Sequence, residues 1–244
     1  MKVLLDTHTH TIASGHSTRD TVTDLARAAA ARGLELLCIT DHSPSTPGSA
    51  GTDYFRSLAK APRRRFGIDI LFGTEADVTD ERGSLGMASD ILAELDLVIV
   101  SQHPPCFAPS ADAERNTAAL VAAVRGGRAD IVGHPDDEKY PLDYPALVRA
   151  CSEYGAMIEL NEASLRPDGY RGDARAKDAE LLRLCRAAGV TVALGSDSHG
   201  AAHVGDFTYG LALVRETGFP QELIANRDAA AFRRWLRERR KQQN

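Results

Sequence analysis

The chain has 244 residues, long for one average domain but ordinary for one α/β barrel. Hydrophobic residues make up 43% and charged residues 26%, enough for a sizeable core in a soluble protein. The net charge of −5 argues against a broad nucleic-acid-binding surface, and no apolar run is long enough to span a bilayer. Met1 leads into a strand-like segment with no signal-peptide layout. Cys38, Cys106, Cys151 and Cys185 are far apart and form no CxxC pair. They read as reduced thiols in a cytoplasmic protein, and not as a zinc ribbon or a disulfide framework.

Along the chain, short apolar runs alternate with amphipathic stretches. The first run is Val3–Leu5, and a helix is expected over Asp20–Arg32, with Gly33 in the C-terminal cap position. Leu36–Ile39 is the second run. A loop rich in Pro, Gly and Ser follows, then a short helix near Tyr54–Lys60. Ile68–Phe72 is the third run, followed by a weaker helix over Ser84–Leu95, interrupted by Gly86. The fourth run, Leu97–Val100, precedes a helix over Asp112–Arg125 with Gly126 after it. Ile131–Val132, Met157–Leu160 and Thr191–Leu194 complete the runs, with helices over Tyr144–Tyr154 and Asp173–Ala188 between the last three. Asp228–Gln242 reads as a basic, solvated last helix with a frayed tail. Nearly continuous apolar runs suit strands buried on both faces. Seven strand–helix units in strict alternation predict a closed parallel barrel, with residues 1–244 as a single domain. No glycine-rich phosphate turn follows the first strand, so a dinucleotide-binding open sheet has no motif behind it.

The strand ends carry the chemistry. His8, His10 and His16 follow the first strand, and His42 follows the second. Glu75, His103 and His134 follow the third, fourth and fifth. Asn161 and Glu162 follow the sixth, and Asp197 and His199 the seventh. Seven of the eight histidines therefore fall at one predicted face, where barrel enzymes keep their active sites. Crowded imidazoles repel one another when protonated, whereas a shared cation needs them neutral. His8 and His10 are two apart in an extended segment, and both reach one ion. Asp197 and His199 repeat that spacing. The seven histidines with Glu75 and Asp197 make nine nitrogen and oxygen donors, which exceed what one tetrahedral zinc uses and suit two or three metals.

The segments DTHTH, SGHS, TDH, GTEAD, QHP, GHPD and GSDSH, in that order from Asp6 to His199, resemble the PHP (polymerase and histidinol phosphatase) family, in its small stand-alone phosphatase branch. The resemblance implies a distorted TIM-like (β/α)7 barrel with a trinuclear site, zinc first, with manganese or iron also accepted by such ligands. It implies that His8 and His10 bind the first metal with Glu75 and Asp197, that Glu75 bridges to a second metal held by His103 and His134, and that His16, His42 and His199 bind the third. Asp136, Asp137 and Glu162 depart from the family's usual neighbours. An amidohydrolase barrel also opens with HxH but wants a lysine at the end of strand four, where this chain has Ser101-Gln102-His103.

Three divalent ions against two carboxylate ligands would make the site strongly electropositive, which favours phosphate esters. The expected reaction is hydrolysis of a phosphorylated small molecule, a monoester first, by a metal-bound hydroxide. Asp197 is the candidate for orienting the attacking water. Arg166 and Arg171 are candidates for gripping phosphate or the substrate tail, with Arg19 and Lys139 behind them. Asp6 and Asp41 are expected to support ligands from behind. His203 is left as a bystander and Cys106 as a non-ligand. A nuclease or phosphodiesterase would share the site, but no dedicated nucleic-acid-binding module accompanies it. A non-catalytic scaffold would have no need of every ligand position.

Overall fold

A computed structural model describes residues 1–243. Seven parallel strands stand in sequence order: β1 Leu5–Asp6, β2 Leu36–Ile39, β3 Ile68–Asp77, β4 Leu97–Ser101, β5 Ile131–Val132, β6 Met157–Asn161 and β7 Val192–Gly195. They curl into a nearly closed barrel of the (β/α)7 kind, with helices outside. Arg64–Arg65 adds a short antiparallel edge to β3.

The seam between β1 and β7 is closed by other means than a strand ladder. Above, Ser198–His199 pairs in parallel with Thr9–His10. Below, the Asn226 amide donates to the carbonyls of Leu5 and Leu194 at 2.9 and 2.8 Å and accepts from Leu194 N–H at 2.6 Å. Asp6 stitches the same seam, accepting from the backbone N–H groups of His8, Ser196 and Gly205. Its support is thus to backbone, not to a ligand imidazole.

Side chains alternate along each strand, so one parity fills the barrel interior. In the lower interior Leu5, Leu36, Leu71, Leu97, Ile131 and Met157 form an apolar layer. Further up the same parity of β3 and β6 places Glu75, Asp77, Glu159 and Asn161. A second apolar cluster lies between the sheet and the helices.

The helices are α1 Val22–Ala31, α2 Thr52–Ser57, α3 Ser89–Glu94, α4 Ala113–Arg125, α5 Tyr144–Tyr154, α6 Glu162–Leu165, α7 Ala174–Ala188, α8 Thr208–Thr217 and α9 Ala229–Gln243. Three differences from expectation have local causes. Helix α3 starts five residues late, because Val78 bridges Leu85 and Gly86 N–H is held by Asp77 O, which keeps that stretch extended. After α4 the left-handed residue is Gly127, not Gly126. Helix α9 is not a solvated appendage: Phe232 and Leu236 plug the bottom of the barrel interior, and Arg239 is buried against Asp130. Helix α8, absent from the expected elements, has its first amides capped by the Glu162 carboxylate, which accepts from Tyr209 and Gly210 N–H at 2.8 Å each. No helix among the described residues is long and apolar enough to cross a membrane.

Candidate metal centre

The upper end of the barrel gathers seven imidazoles around two carboxylates. Glu75 is the hub. Its Oε1 lies 2.7 Å from His134 Nε2 and 3.5 Å from His103 Nε2. Its Oε2 lies 2.8 Å from His42 Nδ1, 3.4 Å from His8 Nε2 and 3.5 Å from His10 Nε2. The two oxygens thus serve two different sets of rings. Asp197 Oδ1 faces His10 Nε2 at 3.3 Å and His8 Nε2 at 3.8 Å. Burial alone would raise both carboxyls, yet His103, His8 and His42 hold Glu75 well below its usual range, and His8 and Arg171 do the same for Asp197.

A further shell fixes these rings. Glu159, in the interior of β6, accepts from His8 Nδ1 at 2.7 Å and from His134 N–H at 2.7 Å. His10 Nδ1 lies 2.8 Å from Ser14 Oγ, which donates to Asp41 at 2.7 Å; the imidazole must then be the donor, and its Nε2 faces the cluster. Asp77 holds His103 Nδ1 at 2.7 Å. Arg171 donates to Asp197 Oδ2 at 2.9 Å and to Asn161 and Ser164. His134 and Asp197 have positive φ, 24° and 51°, a conformation unfavourable for residues with a Cβ. Backbone strain of this kind costs about 1–3 kcal/mol per residue and collects at functional sites. Gly195 is dictated by approach, since a Cβ there would collide with the Glu159 carboxylate as it reaches His8.

The donor set can be tested for a cation on its own hydrogen bonds. His16 Nδ1 and His199 Nδ1 each point at a carbonyl oxygen, of Ser14 and Asp197, at 3.1 and 3.3 Å. A carbonyl only accepts, so both Nδ1 atoms carry the proton. Burial, with the neighbouring His42, lowers both pKa values, which keeps the rings neutral. Their Nε2 atoms are then bare lone pairs, and they face each other at 3.1 Å. No proton remains to place between them, whereas a divalent ion fits such a pair. His8 Nε2 and His10 Nε2 lie 2.9 Å apart. His42 Nδ1 is buried and makes no hydrogen bond despite its nearness to Glu75. Three groups of donors converge closely enough to share an ion: His10, His42 and His199; His8, His10 and Glu75; and His42, Glu75 and His103.

The PHP domain pattern matches residues 6–163. A probable phosphatase of Caldanaerobacter subterraneus is 41% identical over 241 residues, spanning 99% of this chain and 94% of that protein. The chain belongs to the PHP family. A probable phosphatase of Thermoanaerobacter sp. (strain X514) is 39% identical, covering 99% of this chain and 97% of its own length. Among solved structures, the histidinol phosphate phosphatase of Lactococcus lactis, complexed with Zn, L-histidinol and phosphate, shares the fold. Its TM-score is 0.63 at 19% identity, covering 88% of this chain and 94% of that one. The protein is an enzyme of the phosphatase type.

Within this PHP fold the nine expected donors all meet at one end of the barrel. His42 stands beside Glu75 as well as near His199, and His10 is shared between two groups. Asp197 is left-handed at φ 51°, so the extended segment that carries His199 begins only at Ser198. Arg171 reaches the site but is committed to Asp197. Arg166 lies off to one side, with Nε 3.1 Å from the Asp168 carboxylate. His203 is exposed, and its backbone N–H donates to Ser198 Oγ. Lys139 stands at the mouth beside Asp137, and Arg19 is exposed. The four cysteines are free, and none belongs to a group that could hold an ion among the described residues. Two residues were missed. Glu159 was legible as an acid inside an apolar strand run, and Asp77 as a second acid two places after Glu75, on the same face. With Asp41 they add three buried carboxylates behind Glu75 and Asp197, so the site is far less electropositive than two acidic ligands implied.

Proposed function

We propose that the protein is a metal-dependent phosphomonoesterase acting on a phosphorylated small molecule. Three divalent ions, zinc first, are held by His8, His10, His16, His42, Glu75, His103, His134, Asp197 and His199. The observation that carries the reading is the pair of neutral rings, His16 and His199, whose lone pairs face each other at 3.1 Å. Divalent ions in such a cluster supply a nucleophile from water at neutral pH and neutralise charge on phosphoryl oxygens. Zinc is favoured by the imidazole-rich donor set, and the Lactococcus relative carries Zn with phosphate.

The chain's own groups do the positioning. Asp197 Oδ2 is tied to Arg171 and Asn161, so Oδ1 is held toward His10 and the reacting zone and can orient an attacking water. Glu159, Ser14 and Asp77 fix which nitrogen of His8, His10 and His103 faces inward. Arg171 and Lys139 line the mouth and offer positive charge to an entering phosphate. The cavity above the cluster, about 240 Å3, suits a small ester better than a polymer.

The test is purified protein reconstituted with zinc, manganese or iron, assayed on a phosphate monoester, a diester and single-stranded DNA, each with and without chelator. Monoester turnover that vanishes with chelator is expected. Turnover of only the diester or DNA, or chelator-resistant turnover, overturns the reading.

A further inference from the structure

The ligand cluster opens to solvent through two chambers that share His16, Tyr170, Asp197 and His199. Tyr170 lines a chamber of about 240 Å3 shared with Glu75, His42 and His103, and a second of about 500 Å3 that runs past Arg166 and His203. The residue is 66% exposed. The other exposed large hydrophobic residues among the described residues, Met1, Ile12 and Phe66, are less exposed and line neither chamber. An aromatic ring left in water at the entrance to a polar site is out of place as packing.

The ring is also held in position. The next residue, Arg171, is 3% exposed and anchored to Asp197, Asn161 and Ser164. The Arg171 guanidinium and Lys139 Nζ lie 4.8 and 5.4 Å from the Tyr170 ring centroid, within cation–π range. The smaller chamber carries a second apolar surface, the exposed Pro104–Pro105 pair. A phosphate at the ligand cluster would therefore direct its alcohol portion into a slot with a fixed aromatic ring and two prolines on its walls.

We propose that Tyr170 is a specificity-determining residue, a stacking platform for a flat ring in the alcohol part of the substrate. Phosphate esters of ring-bearing alcohols are then preferred over those of open-chain alcohols. Flat groups gain an offset-stacked contact on a ring whose ordering cost is already met, and flexible chains do not. The proposal rests on the phosphatase reading for where the phosphate sits.

Benzyl and propyl phosphate share a primary alkyl leaving group and differ in the ring, as do the non-hydrolysable benzyl- and propylphosphonates. The reconstituted enzyme is expected to favour the benzyl compounds by about tenfold, in kcat/KM and in calorimetric affinity for the phosphonates. Tyr170→Ala should erase that preference through KM, with kcat within about twofold and zinc content unchanged. Tyr170→Phe should keep it. Equal losses on both compounds in Tyr170→Ala, or no benzyl preference in the parent enzyme, overturn the proposal. Ring-selective phosphonate binding without turnover of either ester would instead defeat the phosphatase reading and leave the platform standing.

Discussion

At the lower end of the barrel Asp130 is buried and fully answered by the protein itself. Arg239 Nε and Arg240 reach its Oδ1 at 3.0 and 3.1 Å, and Val98 N–H and Arg240 reach Oδ2 at 2.8 and 2.6 Å. At the upper end the buried carboxylates of Asp41, Glu75, Asp77, Glu159 and Asp197 meet seven imidazoles and one buried arginine, and His16 and His199 turn bare nitrogens toward each other. The lower charges are closed by permanent cations. The upper ones share one permanent cation, Arg171, and the proposed metal ions would supply the rest. Buried charge in one small barrel therefore serves two ends, holding α9 in place below and leaving a deliberate deficit above.

Glu75→Gln tests the upper end most severely. The amide keeps the shape but loses the charge that answers five rings, so bound metal should fall and monoester turnover should drop about a hundredfold or more, as when a positioned electrostatic contribution is removed. Elemental analysis beside steady-state kinetics checks both, and a fully active, fully loaded variant would mean the hub is misassigned. Arg239→Ala tests the lower end. It leaves Asp130 short of one partner and should cost about 3 kcal/mol of unfolding free energy, with activity per folded molecule preserved. Denaturant titration measures it, and lost specific activity at full folding would show that the two ends are coupled.

Metal addition separates the ends on one instrument. Zinc at a hundredfold excess over its Kd should stabilise the parent protein by about 2.7 kcal/mol, visible as a raised Tm. Arg239→Ala should show the same increment from its lower baseline, while Glu75→Gln should show less. The smallest effect is expected for His203→Asn, an exposed ring outside the cluster, which should keep activity within about twofold. A larger loss would place His203 in the working part of the mouth.

The strands were readable from sequence because a parallel barrel buries both faces, and each apolar run ended on a donor. The clustered rings were readable for the same reason. What lay behind them was harder. Glu159 sits inside an apolar run, where its charge is explained only by His8 and His134, far away in the chain. Ser14 has no signature of its own, since its value lies in joining His10 to Asp41. The basic composition of α9 hid Phe232 and Leu236, spaced one helical turn apart, and the need for a floor beneath a hollow sheet. Arg171 was visible as a cation near the site, but its partner Asp197 was read as a ligand and water-orienting group, with no cation behind it.

The seam between the first and last strands also sets an order of events during synthesis. Asn226 bonds to Leu5, a partner 221 residues earlier, and Thr7 bonds to Leu194 across 187. A growing chain therefore exposes the barrel's first edge long before its partner edge exists, and contacts so distant in sequence form late. His8 and His10 wait on that edge for Asp197 and His199, and the stitch that holds the edges together emerges later still. The upper cluster cannot be assembled on a half-made chain. Whatever binds there meets a finished barrel.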